Sequence, residues 1–360
     1  MRKVHISFAK QGDVLARPVL SANGSNLIGV GVKLTDRYIE RLQSYGVDYL
    51  FLEDRHTTDI FPEEIVRDET RKKAIETVYK TMVDLTSSPS VKNKAISKDM
   101  GLTYQKIFSE ILTDLTSNRG LMVSLSNLHV KEGYLFHHSV NVGILAGIMG
   151  MAKGYNRIQL TELGVGALLF DIGMTVFPDE LWQKNTDFTG EQRERIKKHT
   201  EEGFNLLRKQ FDVSLLSAHC ALQHHERYDG TGYPRGLKQD EIHEYAQIVA
   251  IADVYDALTS PRPYRIGYSP GEAIEFLYAN GNQWFNVELI KIFCSHIAVY
   301  PIATTVQLNT GQIGVVTALN ASASHRPIVR IIQEPGGHPV YSAYEIDLQK
   351  QMNITIARTI

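Results

Sequence analysis

The sequence predicts a mainly α protein, in which a helical centre is flanked by a small N-terminal α/β module and a small C-terminal β-rich segment. Three observations support this prediction. Between about residues 62 and 298, apolar residues recur at three- and four-residue spacing, which is the period of amphipathic helices. The first 61 residues instead alternate short apolar runs with glycine, asparagine and aspartate. After residue 299, apolar residues recur at every second position, as they do in strands.

Four segments follow from these patterns. Residues 1–61 contain short apolar runs and one helical pattern, so they are expected to form an α/β or β-rich module. Residues 62–118 contain two helical patterns and are expected to be a helical linker. Residues 119–298 should form the main helical domain, and residues 299–360 the β-rich segment. The apolar stripe of residues 66–86 could pair two chains into a homodimer or pack on the chain's own core, and both alternatives stay open.

Composition limits the classes of function. The 360 residues carry a formal net charge of -2, which argues against a nucleic-acid polymer or an anionic membrane as partner. Cys220 and Cys294 form no CxxC pair, as is typical of reduced thiols in the cytoplasm. Neither a signal peptide nor an uninterrupted run of about 18 apolar residues is recognisable. We therefore expect a cytoplasmic protein without a membrane span.

Histidines and aspartates recur along the central segment, each within a stretch of helical spacing. The set consists of His138, Asp171, His199, His224, His225 and Asp253. Successive members are about one helical hairpin apart, so neighbouring helices could turn them toward a common centre. Imidazole and carboxylate groups are ligands that first-row transition metals accept. Any one of these histidines alone is more often a surface or hydrogen-bonded core residue, so the metal hypothesis depends on the whole set.

The two aspartates carry more information than any single histidine. Asp171 and Asp253 lie in the apolar runs LGVGALLFDIG and IVAIADVY. A carboxylate buried in such a run needs a hydrogen-bonding partner, a counter-charge or a metal ion. A helix cap or a salt bridge is the alternative to metal binding at both positions.

The string HHERYDGTGYP, residues 224–234, resembles the signature of the HD-GYP domain. The resemblance continues in the family's order through YLFHHSVNV, LLFDIG, HTEEGFNLL and ADVYDALTSPRPYR, and it covers roughly residues 119–298. The family is all-helical, and its best-known members are metal-dependent phosphodiesterases. They hydrolyse cyclic di-GMP to the linear dinucleotide or to GMP. The resemblance therefore implies this activity on cyclic di-GMP or a related cyclic dinucleotide.

Site residues are carried over from the family by motif position. The resemblance implies that the six histidines and aspartates are metal ligands. Four of them, Asp171, His199, His224 and His225, would form the catalytic metal site. Arg262 and Arg265 match positions that meet ligand phosphates, which suits the bidentate fork of a guanidinium group. Without the resemblance, these two arginines would be interpreted as part of a solvated turn.

The sequence departs from the family's pattern close to the metals. In the motif commonly written HDxGK, Phe170 replaces the histidine and Met174 replaces the lysine. Tyr134 stands where some members carry a glutamate that supports a third metal. A phenyl ring has no lone pair to offer a cation. We therefore expect one firm divalent ion, iron or manganese, and a second ion site that is weak or absent.

The second site would retain only His138, Asp171 and Asp253, so water would have to complete its ligand shell. Two cations together activate a water molecule and neutralise phosphate charge, so the loss of one would weaken catalysis.

Three hypotheses remain at this point. The first is an active phosphodiesterase. The second is a catalytically inactive domain that binds a cyclic dinucleotide or a signalling protein. The third is an interaction scaffold without metal.

The end of the signature motif is expected to be structural. Gly230 and Gly232 can adopt positive φ, and Pro234 prevents a helix from continuing. We expect Asp229 to hold this loop by accepting hydrogen bonds from backbone N–H groups. The glycines would then shape the edge of a pocket and take no part in chemistry.

Overall fold

The computed structural model describes residues 1–62, 64–86, 99–118, 133–178, 189–260, 267–320, 323 and 325–360. Its N-terminal module contains two pairs of antiparallel strands and one helix. The elements are β1 (Arg2–His5), β2 (Val19–Leu20), β3 (Asn26–Ile28), α1 (Asp36–Ser44) and β4 (Tyr49–Leu52). β1 pairs with β4, and β2 pairs with β3. This module has the α/β character that the sequence predicted.

The centre of the chain is helical, as predicted. Its helices are α2 (Asp68–Thr86), α3 (Met100–Ser117), α4 (Tyr134–Ala152), α5 (Arg157–Leu169), α6 (Gly190–Lys197), α7 (His199–Leu207), α8 (Leu215–Gln223), α9 (Glu244–Thr259), α10 (Pro270–Ala279) and α11 (Val287–Cys294). A 3₁₀ turn, Ile172–Val176, follows α5. Together these helices enclose one large apolar core.

Helices α2 and α3 belong to that same core. Ile75 of α2 and Phe108 of α3 are fully buried in it. The ring of Phe108 lies directly on α5, where a Cβ at Gly164 would come within 2.2 Å of it. The segment 62–118 therefore packs against the main domain along its described length. The apolar stripe of residues 66–86 is accounted for by contacts within the chain.

Two stretches, Tyr134–Ala152 and Arg157–Val176, are long and apolar enough to cross a membrane by length and composition alone. Within the fold, 78% of the first window and 61% of the second are buried by the rest of the protein. Core helices of soluble proteins have the same character. Burial of both helices inside the domain is what allows them to carry site residues away from solvent.

The C-terminal segment forms a five-stranded antiparallel sheet, in agreement with the predicted β-rich character. Its strands are β5 (Thr305–Leu308), β6 (Ile313–Ala318), β7 (Ile328–Gln333), β8 (Pro339–Asp347) and β9 (Ile356–Thr359). Their order in the sheet is β8-β7-β6-β5-β9. Val316 of β6 and the alternate residues Val329 and Ile331 of β7 face a small core on one side of the sheet.

The two ends of the chain pack on each other. The backbone N–H of Lys3 donates to the carbonyl oxygen of Ala303 at 2.7 Å. The hydroxyl of Thr305 donates to the carbonyl oxygen of Lys3, also at 2.7 Å. Phe51 and Val315 share a small buried cluster beside this contact. The N-terminal module and the C-terminal sheet thus adjoin, which the sequence patterns did not indicate.

Candidate metal centre

The six predicted ligands lie on five helices or directly after them. His138 is in α4, Asp171 follows α5, His199 begins α7, His224 and His225 follow α8, and Asp253 is in α9. A close backbone approach brings two of these elements together. A Cβ at Gly173 would lie 2.0 Å from the carbonyl oxygen of His199, so only glycine lets the turn after α5 approach α7 this closely.

Three histidine rings meet in one group. His199 Nε2 lies 3.2 Å from His224 Nε2. One ring nitrogen from each of His199, His224 and His225 lies within 4.8 Å of the other two. Asp171 Oδ1 lies 3.4 Å from His199 Nε2 and 3.6 Å from His224 Nε2. The structure therefore brings together the residues predicted to hold the firm metal ion.

In His199 and His224, hydrogen bonds to Nδ1 determine that Nε2 faces the three-histidine group. His199 Nδ1 lies 2.6 Å from the carbonyl oxygen of Ile196. His224 Nδ1 lies 3.0 Å from the carbonyl oxygens of Cys220 and Ala221. Because a carbonyl oxygen can only accept, each Nδ1 carries the proton and each Nε2 presents a lone pair. Two such lone pairs 3.2 Å apart repel each other unless a cation lies between them.

Burial favours the neutral form of all three rings. Loss of solvation lowers the pKa of His199 and that of His224. Burial, reinforced by the neighbouring imidazoles, holds the pKa of His225 well below its usual value. Burial also raises the pKa of Asp171 to about 6, so this carboxyl group is still mostly ionised at pH 7. Neutral imidazoles and an ionised carboxylate are the protonation states that metal binding requires.

The spacing of the donors suits one shared ion. Two neighbouring ligands that are each 2.0–2.1 Å from a metal ion stand about 2.8–3.0 Å apart in octahedral geometry and about 3.3–3.4 Å apart in tetrahedral geometry. The nitrogen–nitrogen distance of 3.2 Å and the nitrogen–oxygen distances of 3.4 and 3.6 Å are close to the tetrahedral spacing. Imidazole nitrogen and carboxylate oxygen are also the donors that iron, manganese and zinc accept. This donor set therefore fits a divalent transition metal.

His138 makes a separate pair of contacts. Its Nε2 lies 2.9 Å from Asp253 Oδ1, and its Nδ1 lies 2.7 Å from Asp256 Oδ2. Burial disfavours the charged ring, but the Tyr134 phenol and the two carboxylates raise the pKa of His138 well above its usual value. In the structure, His138 and Asp253 thus form a second group, next to the three histidines.

Phe170 lies between the two groups. Its side chain is fully buried, with its ring centre 5.6 Å from that of His138 and 5.0 Å from that of His224. Both contacts are edge-to-face. Tyr134 covers His138 from the other direction by stacking on its ring at 4.9 Å. Phe170 and Tyr134, the two aromatic residues that differ from the family's pattern, therefore both contact the imidazole of His138.

Sequence reasoning missed Asp256, which is fully buried and bonded to His138. The signal was present in the string ADVYDAL, because Asp253 and Asp256 are three residues apart on one helix. That spacing puts both carboxylates on the same face. A buried carboxylate bonded to the outer nitrogen of an imidazole is the usual arrangement for orienting a histidine ligand.

The loop after the paired histidines is held mainly by Glu226, a residue that the sequence analysis did not single out. Its buried carboxylate accepts the backbone N–H groups of Arg235 at 2.8 Å and Leu237 at 3.0 Å. Asp229 accepts the backbone N–H of Thr231 at 2.8 Å, which confirms its predicted role in the loop. The loop also places the Tyr233 ring against the site. It stacks on the His225 ring, with the ring centres 4.8 Å apart.

The two loop glycines are needed for different reasons. Gly230 has a φ of 85°, as the predicted turn requires. Gly232 does not adopt a positive φ. A Cβ at Gly232 would instead lie 2.3 Å from the backbone nitrogen of Arg227. Close backbone packing is therefore what requires glycine there. The predicted phosphate-binding residues Arg262 and Arg265 lie outside the described residues.

Comparison with known proteins gives a consistent result. An HD domain matches residues 111–289, and a KOW domain associated with HD domains matches residues 305–360. Cyclic di-GMP phosphodiesterase PA4108 of Pseudomonas aeruginosa is 32% identical over 225 residues, which are 62% of this chain and 54% of that protein. A cyclic di-GMP phosphodiesterase of Thermotoga maritima is 34% identical over 204 residues, 56% of this chain and 55% of that protein. The chain thus spans about half the length of these curated relatives.

Among solved structures, Bd1817, a HDG"Y"P protein from Bdellovibrio bacteriovorus, matches 81% of this chain and 97% of its own chain. The sequence identity is 18% and the TM-score is 0.48.

The fold and the centre define the class: a helical domain whose buried imidazole and carboxylate groups suit a divalent metal ion. Through residues 111–289, about half of its length, the chain belongs to the HD domain family. Its HHERYDGTGYP segment, residues 224–234, marks this domain as one of the HD-GYP type.

Proposed function

We propose that this protein is a metal-dependent phosphodiesterase that hydrolyses a cyclic dinucleotide, with cyclic di-GMP as substrate. The observation that carries the proposal is the convergence of the unprotonated Nε2 atoms of His199 and His224 with the Asp171 carboxylate, 3.2–3.6 Å apart. His225 adds a third imidazole to the same group. The names of the relatives from Pseudomonas aeruginosa and Thermotoga maritima support the choice of substrate.

Each residue has a distinct part in this proposal. A divalent ion held by the three imidazoles and Asp171 would activate a water molecule and neutralise charge on the substrate phosphate. The carbonyl groups that hold the Nδ1–H of His199 and of His224 keep the two lone pairs directed at the ion position. Arg262 and Arg265 are proposed to bind the phosphates through bidentate hydrogen bonds. Iron or manganese is the proposed metal, since both accept mixed nitrogen and oxygen ligands.

A second candidate function is a binding module that has lost most of its catalytic power. The observation that favours it is the position of Phe170, whose phenyl ring contacts His138 and His224 in place of an imidazole. A phenyl ring supplies no lone pair, so a second ion beside His138 would keep fewer protein ligands. Such a protein would bind the cyclic dinucleotide and hydrolyse it slowly or not at all.

One experiment separates the two candidates. The full chain is purified without chelator, its metal content per chain is measured, and cyclic di-GMP turnover is followed with added manganese or iron. Bound metal together with turnover supports the phosphodiesterase. Cyclic di-GMP binding without turnover, even in excess metal, supports the binding module. A second cyclic dinucleotide, assayed in parallel, tests whether cyclic di-GMP is the preferred substrate.

The matched control is His224→Asn, because this change removes one lone pair from the three-histidine group. If the centre is a metal site, the variant should lose bound metal and any turnover together, while cyclic di-GMP binding through the arginines weakens less. Retention of full metal content in His224→Asn would contradict the assignment of the centre.

A further inference from the structure

A buried arginine from outside the matched HD domain is connected to the centre. Arg71 lies in α2, whereas the HD domain match begins at residue 111. The residue is only 7% exposed, and its guanidinium donates to the Asn141 side-chain oxygen at 2.6 Å. Burying a guanidinium is costly, so a buried arginine needs polar partners that are held in place.

From Asn141, buried hydrogen bonds continue to the centre. The Asn141 amide donates to Asp256 Oδ1 at 2.9 Å. Asp256 Oδ2 lies 2.7 Å from His138 Nδ1, and His138 Nε2 lies 2.9 Å from Asp253 Oδ1. Every member of this line is less than a tenth exposed. Water therefore has little access with which to replace any one of these bonds.

Arg71 determines which group donates and which accepts in each of these hydrogen bonds. A guanidinium can only donate, so Asn141 must present its oxygen to Arg71 and its NH₂ group to Asp256. Asp256 then accepts from Asn141 on one oxygen and from His138 Nδ1–H on the other. If Arg71 were removed, the Asn141 side chain could turn over and bring its oxygen against the Asp256 carboxylate. The hydrogen bond that orients His138 would then be disturbed.

We propose that Arg71 is a positioning residue for His138, acting through Asn141 and Asp256, so that α2 forms part of the site. The proposal deepens the proposed function, because it assigns an orienting residue to the weaker half of the same metal centre. The hydrogen bonds themselves do not depend on turnover, so the two proposals can fail separately. Loss of a partner in the outer shell of a metal site commonly costs about 10- to 100-fold in metal affinity.

The test uses the full chain labelled with ¹⁵N-histidine, without added metal, and observes the Nδ1–H resonance of His138 by proton–nitrogen NMR. Its assignment is confirmed by its disappearance in His138→Gln. In the wild-type chain, this proton should be shifted downfield and protected from exchange with water. In Arg71→Met, the resonance should move or be lost through exchange. In Arg71→Lys, which keeps a donor toward Asn141, it should be largely retained.

Arg67→Met is the matched control, because Arg67 lies just before α2 and donates at 2.7 Å to Asp114, outside the line. This variant should leave the His138 resonance unchanged. Chemical unfolding of each variant shows whether the chain is folded, and Arg71→Gln replaces Arg71→Met if the latter does not fold. An unchanged resonance in a folded Arg71→Met or Arg71→Gln overturns the proposal, as does a wild-type chain without a protected Nδ1–H at His138.

Absence of bound metal or turnover in the wild-type chain bears only on the proposed function. A manganese titration of the same variants then measures the consequence for the site. In Arg71→Met, occupancy of the weaker position should need about 10-fold more manganese than in Arg67→Met.

Discussion

Replacing Phe170 by histidine tests whether the phenyl ring is what weakens the second half of the centre. The ring is fully buried, with its centre 5.6 Å from the His138 ring and 5.0 Å from the His224 ring. An imidazole in the same place would therefore lie between the two groups and could offer a nitrogen to an ion shared with His138. We expect Phe170→His to raise metal content and hydrolysis together.

The size of the effect can be worked out from burial. Without a metal ion, the new imidazole would bury polar nitrogen atoms with few partners, which costs about 1–3 kcal/mol of unfolding free energy. An ion at 100 times its dissociation constant stabilises the folded state by about 2.7 kcal/mol. The variant should thus be less stable than wild type in chelator. It should recover most or all of that difference in excess manganese.

The assay is chemical unfolding with and without manganese, combined with elemental analysis of the purified protein. Phe170→Leu is the control, since leucine also loses the aromatic contacts but supplies no ligand. Relative to wild type, Phe170→Leu should lose the same unfolding free energy in chelator as in manganese. If Phe170→His gains neither metal content nor manganese-dependent stability over Phe170→Leu, the account of the weakened site is refuted.

Four further outcomes follow from the geometry. Gly173→Ala should reduce metal content and cost about 1–3 kcal/mol in unfolding free energy, because its Cβ would lie 2.0 Å from the His199 carbonyl oxygen. Glu226→Gln should cost about 1–3 kcal/mol, because an amide has one oxygen for two backbone donors. Exposed Asp229→Asn should cost about 0.5 kcal/mol or less in the same unfolding assay. Chelator should lower the unfolding midpoint of wild type but not of His224→Asn. An equal shift in both would show that the ion is held elsewhere.

Much of the fold could be predicted because its signals are local. Helical spacing in the centre and two-residue spacing near the C-terminus each reflect which face of an element is buried. The paired histidines were recognisable for the same reason, since His224 and His225 stand directly before a loop of fixed residue types. The position of Phe170 in its motif likewise indicated a change at the predicted metal centre.

Other features depend on partners that are distant in sequence. The carboxylate of Glu226 holds the loop because Arg235 and Leu237 turn back toward it, and no spacing rule predicts that return. The N-terminal module adjoins the C-terminal sheet through Lys3 and Ala303, from opposite ends of the chain.

By itself, the sequence determined the mainly helical architecture, the flanking modules, and the residue types from which a metal centre could be built. Tertiary structure decided which of those residues meet. It grouped His199 and His224 with Asp171, placed His138 with Asp253 and Asp256, and brought Arg71 to the second group. The physical reason is that a buried polar side chain must be satisfied by whichever group the packing of helices brings within about 3 Å. The partners of these buried side chains therefore depend on how the helices pack together, which no single segment of the sequence determines.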